Sequence, residues 1–427
     1  MQEPLAPVTI AEQKKQNAIS NPIIIIGVLF FVFGFVTWLG SVLIPYLKII
    51  CQLNDSEPYF VAFAFYISYF VMATPSALLL RKIGFKNGMS LGLLIMAVGT
   101  LLFVPGAALR SYGLFLTGLY VQGTGLTILQ TASNPYVTVL GPRESAAKRI
   151  SIMGVCNGIA SSLSPIIVGA AILSGADAIK NKLPLVGIVE KNILLTQLSS
   201  RIVTPYLIMM VGLLALAILV KVSRLPEAHE EDEPVEEVAG HTKKTIFQFP
   251  HLLIGVVTLF LYVGVEVIAG DTIISYGSSQ GISFSVAKYF SSATQVNMLI
   301  GYIVGIICIP GFISQERALT FSAILGIMFA VVALFTKGYT SIAFVSLMGL
   351  ANSLMWPSIW PLALEGLGRF TKIGSSLLIM AIGGGALLPL LYGRLAASFS
   401  PQQAYWMVIP CYLAVLFYAV RGHKIRS

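Results

Sequence analysis

Two carboxylates stand inside a hydrophobic stretch of this chain, Glu266 and Asp271, between Leu259 and Ile274. A carboxylate in hydrocarbon costs about 2.5–3.5 kcal/mol even on lenient insertion scales, so membrane proteins keep one where something uses it. The users to expect are a cation, a proton or a polar substrate. Glu266 has no Lys or Arg at comparable depth. It must be protonated, or held by a cation, a substrate hydroxyl or buried amides. Asp271 lies nearer the end of the stretch, where Lys288 or Arg394 could pair with it, and it follows Gly270. The two acids are five residues apart, about 140° on an ideal helix, so spacing alone does not aim them at one ion. A distortion at Ala269-Gly270 would free carbonyls, which suit Na⁺ as carboxylates do.

Buried amides form a second set. Gln130 and Asn134 are four apart and can share one helix face. Asn157 sits in the middle of another apolar stretch, and Gln295, Asn297 and Asn352 are further candidates. Each needs a partner away from water, either a substrate hydroxyl or another helix. Trp38, Trp356 and Trp360 fall in mid-segment, although membrane tryptophans usually gather at interfaces, as Trp406 does here. Trp356 and Trp360 are again four apart. Rings of this kind either pack the core or cover the apolar face of a polyol.

These residues must be positioned by membrane helices. The chain has 427 residues, 56% hydrophobic and only 11% charged, with a mean hydropathy of +0.85. Soluble domains carry about 25% charged residues, so this is an all-α integral membrane protein set in a lipid bilayer. The net charge of +9 follows from membrane topology and not from nucleic-acid binding. Twelve stretches are long enough to span: 22–48, 58–81, 88–108, 111–138, 148–174, 202–221, 252–275, 286–309, 317–336, 339–364, 373–397 and 402–421. They are helices 1 to 12 below. The first is too long for a cleavable leader and reads as a retained helix. With the N-terminus inside, eighteen of the 27 Lys and Arg fall on inner segments and nine on outer ones. Both termini are therefore expected in the cytoplasm.

The expected organisation is a cytoplasmic tail (1–21), a six-helix bundle (22–222), an acidic linker (223–250), a second bundle (251–421) and a short tail (422–427). The linker core, Glu227 to Glu237, is too polar to bury a core. The halves resemble each other. Gln130-Thr131-Ala132-Ser133-Asn134-Pro135 in helix 4 aligns with Trp356-Pro357-Ser358-Ile359-Trp360-Pro361 in helix 10. Lys148 precedes Ser164-Pro165 as Lys372 precedes Leu388-Pro389. Parallel repeats of this kind place a site at their interface near mid-membrane. Pro135, Pro165, Pro357, Pro361 and Pro389 are expected to kink their helices, and Gly383-Gly384-Gly385 to let helix 11 bend or pack closely.

Enzyme chemistry is not indicated. The four histidines lie in loops or at helix ends without metal spacing. No nucleotide motif appears, and the four cysteines are scattered. No cofactor is expected, and no metal beyond a coupling sodium.

Twelve helices in a 6+6 repeat resemble the major facilitator superfamily. The loop Leu80-Arg81-Lys82-Ile83-Gly84-Phe85-Lys86-Asn87-Gly88 looks like a degenerate form of its conserved inner loop. Phe35-Val36-Thr37-Trp38-Leu39, Leu43-Ile44-Pro45-Tyr46-Leu47-Lys48, Gln130 to Tyr136 and Gly264 to Thr272 resemble the fucose permease family, most of all its glucose/galactose transporter branch. The resemblance implies two pseudo-symmetric bundles and cation-coupled uptake of a monosaccharide across a bacterial inner membrane, by a monomer. Fucose or N-acetylglucosamine uptake, or an efflux antiporter of the same fold, are the alternatives. One departure matters. Proton-coupled fucose permeases carry an Asp in helix 1 and a Glu in helix 4. The matching positions here are Ser41 (or Gly40) and Gln130, which cannot titrate. With the acids moved to helix 7, the sequence leans to Na⁺ over H⁺. The expected substrate site is Gln130, Asn134, Asn157 and Trp38 facing Trp356, Trp360 and Glu266, with Glu266 and Asp271 as cation-coupling residues.

Overall fold

The computed structural model describes residues 22–139, 146–223, 225, 245–309 and 311–426. The acidic core of the linker, Glu227 to Glu237, the N-terminal tail (1–21), Ser427 and the side chain of Asn134 lie outside the described residues.

Apolar length alone sets the architecture. Eleven helices are long and apolar enough to cross a membrane among the described residues, and the helix Tyr112–Val139 completes the set of twelve. In chain order the N-terminal half holds α1 (Pro22–Ile50), α2 (Glu57–Ile83), α3 (Phe85–Leu109), α4 (Tyr112–Val139), α5 (Ala146–Ile172) and α6 (Val203–Val222). The C-terminal half holds α7 (Pro250–Asp271, continued as Ile273–Ser279), α8 (Phe284–Cys308), α9 (Gln315–Phe335), α10 (Gly338–Leu364), α11 (Ile373–Ser398) and α12 (Pro401–Lys424). The side bearing residues 51–56 is termed outer, after the Lys/Arg asymmetry. Two short helices, Ala176–Lys182 and Ile188–Ser200, lie on that side between α5 and α6.

Backbone hydrogen bonds must close inside each span because hydrocarbon offers none, so the interruptions carry information. α1 breaks at Trp38-Leu39 into an inner half (Pro22–Thr37) and an outer half (Gly40–Ile50). There the Ser41 hydroxyl donates to the freed Trp38 carbonyl at 3.2 Å. α7 breaks at Thr272, whose hydroxyl donates to the Ile268 carbonyl at 2.7 Å. The expected distortion at Ala269-Gly270 therefore lies slightly further along. α10 breaks at Ser353-Leu354, the turn that the ring of Pro357 disrupts. α11 tightens into a 3₁₀ turn at Ala381–Gly383. Between α2 and α3 the chain reverses at Gly84, where φ is +78°, a conformation that costs glycine little. In the first turn of α3 Lys86 donates to the Ser223 carbonyl at the end of α6, 2.7 Å away. A cation is favourable at that pole of a helix.

The halves meet chiefly where α2 lies on α11, α5 on α8, and the outer half of α1 on both parts of α7. The inner half of α1 packs instead on α5. It is held there by the Ser164 hydroxyl donating to the Phe35 carbonyl at 2.7 Å and by Gly34 seated on the Asn157 main chain. The molecule is thus closed across its outer end.

Candidate functional site

Glu266 is only partly buried, on the stretch of α7 facing the other half. Tyr262, one turn earlier, brings its hydroxyl toward the carboxyl. Tyr302 of α8 and Tyr412 of α12 lie within its electrostatic reach, as does Tyr66 of α2. The Tyr412 hydroxyl donates to Asn352 Oδ1 at 2.9 Å. The Nδ2 of Asn352 is buried without a hydrogen-bond partner, and so is the Nε2 of Gln295. The Glu266 carboxyl is thus bonded by Tyr262 and lies within electrostatic reach of phenols from both halves. Such a set can accept and donate to a polyol at once, with aromatic faces for its C–H surface. The tyrosines are what sequence reasoning missed. Only Tyr262, four residues before Glu266, carried a local signal.

Gln130 is partly exposed on α4 and makes no hydrogen bond among the described residues. Asn157 on α5 is also partly exposed, and its Nδ2 gives a long bond, 3.4 Å, to the Phe30 carbonyl. Both amides therefore keep bonding capacity for a ligand. Trp356 and Trp360 stack on one another, with centroids 5.3 Å apart and planes 23° apart, on the inner part of α10. Asn297 is engaged with Ser346 of α10.

Trp38 and Asp271 belong to a different feature. Trp38 is buried at the break in α1, its ring seated directly on Gly270 of α7. Asp271 is 1% exposed, and its carboxylate lies directly on Gly40. The main-chain amide of Ser41, at the start of the outer half of α1, faces that carboxylate. Asp271 pairs with neither Lys288 nor Arg394, so the structure contains no rim ion pair at this acid. Each half gives one bulky group and one glycine to this contact.

Above it, an outer cavity of about 760 Å³ lies between the halves, lined in part by Ile44, Tyr59, Ser275 and Ser278. Two links bridge the halves there. The Asp177 carboxylate accepts the Phe284 N–H at 3.0 and 3.2 Å, capping α8, and Lys180 donates to the Ser278 hydroxyl at 3.1 Å. Among the described residues no three His, Cys, Asp or Glu side chains cluster as a metal site.

Twelve helices in two halves, with polar groups facing each other at mid-depth, are the build of a transporter that rocks around a central site. The family model of the Major Facilitator Superfamily matches residues 26–383, and the chain belongs to that superfamily. It is a transporter and not an enzyme. A "Glucose/galactose transporter" of Brucella abortus biovar 1 (strain 9-941) is 34% identical over 400 residues, covering 93% of this chain and 92% of its own. An "L-fucose-proton symporter" of Escherichia coli (strain K12) is 27% identical over 409 residues, covering 93% and 92%. Among solved structures, the superfamily transporter FucP in the outward conformation superposes with a TM-score of 0.69 at 25% identity, covering 94% of this chain and 99% of its own.

Proposed function

We propose that this chain carries a monosaccharide, a hexose of the glucose/galactose type, into the cell together with a cation. Transport proceeds by alternating exposure of one site between the halves. The observation that carries this reading is the Glu266 group. A partly exposed carboxyl is bonded by Tyr262 within electrostatic reach of Tyr66, Tyr302 and Tyr412, and the Asn352 amide next to Tyr412 has bonding capacity left over. The names of the relatives support the same substrate class.

In this reading Glu266 and the tyrosines bind hydroxyls from the C-terminal half. Gln130, Asn134 and Asn157 bind from the N-terminal half. Trp356 and Trp360 cover the apolar ring face on the inner side, and Trp38 closes the outer side. The halves 22–222 and 251–421 move as two bodies joined by the linker. The protein works as a monomer in the bacterial inner membrane, with both termini in the cytoplasm and no cofactor.

Counterflow tests the reading without needing the ion. Proteoliposomes preloaded with unlabelled D-glucose should take up labelled D-glucose in exchange. Galactose, mannose, L-fucose and N-acetylglucosamine then serve as competitors. Competition by L-fucose alone would move the substrate to the second reading, which the fucose symporter relatives favour. Absence of exchange with every sugar would refute the proposal.

A further inference from the structure

Among the described residues Asp271 is the one carboxylate that is fully buried, and its Oδ1 has no hydrogen-bond partner. Its surroundings define what it can hold. α1 presents Trp38, Gly40 and the Ser41 amide. A void of about 10 Å³ beside the carboxylate is lined by Thr37, Tyr66 and Gln122 together with apolar residues of α1, α2 and α4. That volume holds about one water. The titratable group facing Asp271 from α2 is Tyr66. α4 presents Gln122 and Leu119, neither of which titrates, and Glu266, five residues earlier on α7, acts on the same tyrosine. No Lys, Arg or His pairs with Asp271 among the described residues.

A hard cation needs a shell of oxygen ligands. This seat offers one carboxylate, a peptide N–H at the positive pole of a half-helix, and a void of one-water size whose other polar side chains, Thr37, Tyr66 and Gln122, are neutral. One charged ligand beside so small a void leaves a metal ion little room for its shell. The seat accepts a proton, which needs no shell. An ionised carboxylate sealed there with a bare oxygen costs several kcal/mol.

We propose that Asp271 is the seat of the coupling ion, that the ion is a proton, and that the outer gate closes over Asp271 when the proton is on it. This rests on the transport reading above and deepens it. It also turns the sequence's lean toward Na⁺ the other way. With the outer half of α1 drawn off α7, external water reaches Asp271 and delivers one proton. Closure then seats the neutral carboxyl on Gly40. After the inner side opens, the proton passes to a water in the void beside Thr37 and Tyr66, and the O–H electron pair stays on the carboxylate. The anion left behind fits the sealed seat poorly, so the gate reopens outward.

The test reads the gate and not the sugar. Spin labels are placed on cysteines at Leu185 and Phe399, exposed residues on the outer side of opposite halves, in a full-length chain whose four native cysteines are replaced. The interlabel distance is measured by double electron–electron resonance in nanodiscs. Going from acidic to alkaline buffer should shift the open-to-closed ratio at least about tenfold toward the longer distance, the scale of an ordinary coupling free energy. Asp271→Asn, which can still accept from the Ser41 amide, should show one distance distribution at both pH values, weighted to the short distance. Asp271→Thr, a second small polar variant, should do the same if Asn folds poorly. Glu266→Gln should keep the pH response. Exchanging choline for Na⁺ at fixed pH should change nothing. A pH response that survives Asp271→Asn, or a distance change driven by Na⁺, would overturn the proposal. The distances need no substrate, so a wild type that exchanges no monosaccharide refutes the transport reading alone.

Discussion

The carboxylate of Asp271 occupies the space that a side chain on Gly40 would need. The reverse arrangement lies alongside, where the ring of Trp38 occupies the space that a side chain on Gly270 would need. Both contacts join α1 to α7 across the two halves, next to the breaks at Trp38-Leu39 and Thr272. A helix break lets a few residues re-aim a half-helix without unpacking the whole span. In the gating proposed above, this is the contact that parts and re-forms.

Gly40→Ala should obstruct closure. A methyl group forced into a filled seat costs about 1–3 kcal/mol, or about 5- to 150-fold in the closed population. Counterflow should fall by about that factor at unchanged protein yield, and the Leu185–Phe399 distance should lengthen. Normal counterflow by Gly40→Ala would show that the seat is not used.

Gly270→Ala should act in the same direction, through Trp38. Combining it with Trp38→Ala removes the ring that the new methyl meets. The double variant should therefore exchange sugar better than Gly270→Ala alone. Residues in direct contact are where such non-additivity of about 0.5–3 kcal/mol is found. Additive losses in the cycle would contradict the contact.

The resemblance to fucose permeases placed an acid of helix 1 at Ser41 or Gly40. In the structure the acid at that place is supplied from α7. Exchanging the partners tests the substitution of one for the other. Asp271→Gly should exchange sugar without accumulating it, and Gly40→Asp, whose new side chain meets Asp271, should exchange it poorly. The double variant should regain part of the proton-driven accumulation, measured as the internal-to-external ratio of labelled sugar. A double variant no better than its parents would deny that the place matters more than the helix that serves it.

The Glu266 group predicts graded losses of binding. Glu266→Gln removes a charged hydrogen-bonding group, worth about 1.5–3 kcal/mol, or about 10- to 150-fold in Kd. Tyr412→Phe removes a neutral one and frees the Asn352 carboxamide oxygen, about 0.5–1.5 kcal/mol, or about 2- to 13-fold. Calorimetric titration with D-glucose measures both. Equal affinities in wild type and Glu266→Gln would remove Glu266 from the sugar site.

Asp177→Ala should loosen the outer side. The carboxylate accepts the first N–H of α8, and loss of such a cap costs about 0.5–2 kcal/mol. The open-to-closed ratio should rise about 2- to 30-fold by the same distance measurement. Asp177→Asn, a comparable cap, should change it little.

How much of this was legible depended on whether the cause was local. The twelve spans follow from apolar length, which any helix in hydrocarbon must have, and the structure's spans begin and end within a few residues of the stretches read. The break in α10 was foreshadowed by Pro357, because a proline ring displaces the preceding turn. The break in α1 had no such mark. Only the Ser41 hydroxyl, which satisfies the Trp38 carbonyl, belongs to it. In α7, Gly270 suggested the place of the break, yet its missing side chain serves the ring of Trp38 and the chain parts at Thr272. The depth of Glu266 and Asp271 along α7 could be counted. What each faces could not. The tyrosines around Glu266 come from four helices, and Asp271 turns inward to α1 and away from the cations at the rim. Contacts across the two halves are set by packing, which no local pattern records.

Gradient-driven uptake by proteoliposomes tests the central claim most directly. Labelled D-glucose should accumulate above its external concentration when an inward proton gradient is imposed. A sodium gradient alone should not drive it. Asp271→Asn should equilibrate the sugar without concentrating it. Accumulation driven by sodium, or undiminished proton-driven accumulation by Asp271→Asn, would contradict the account.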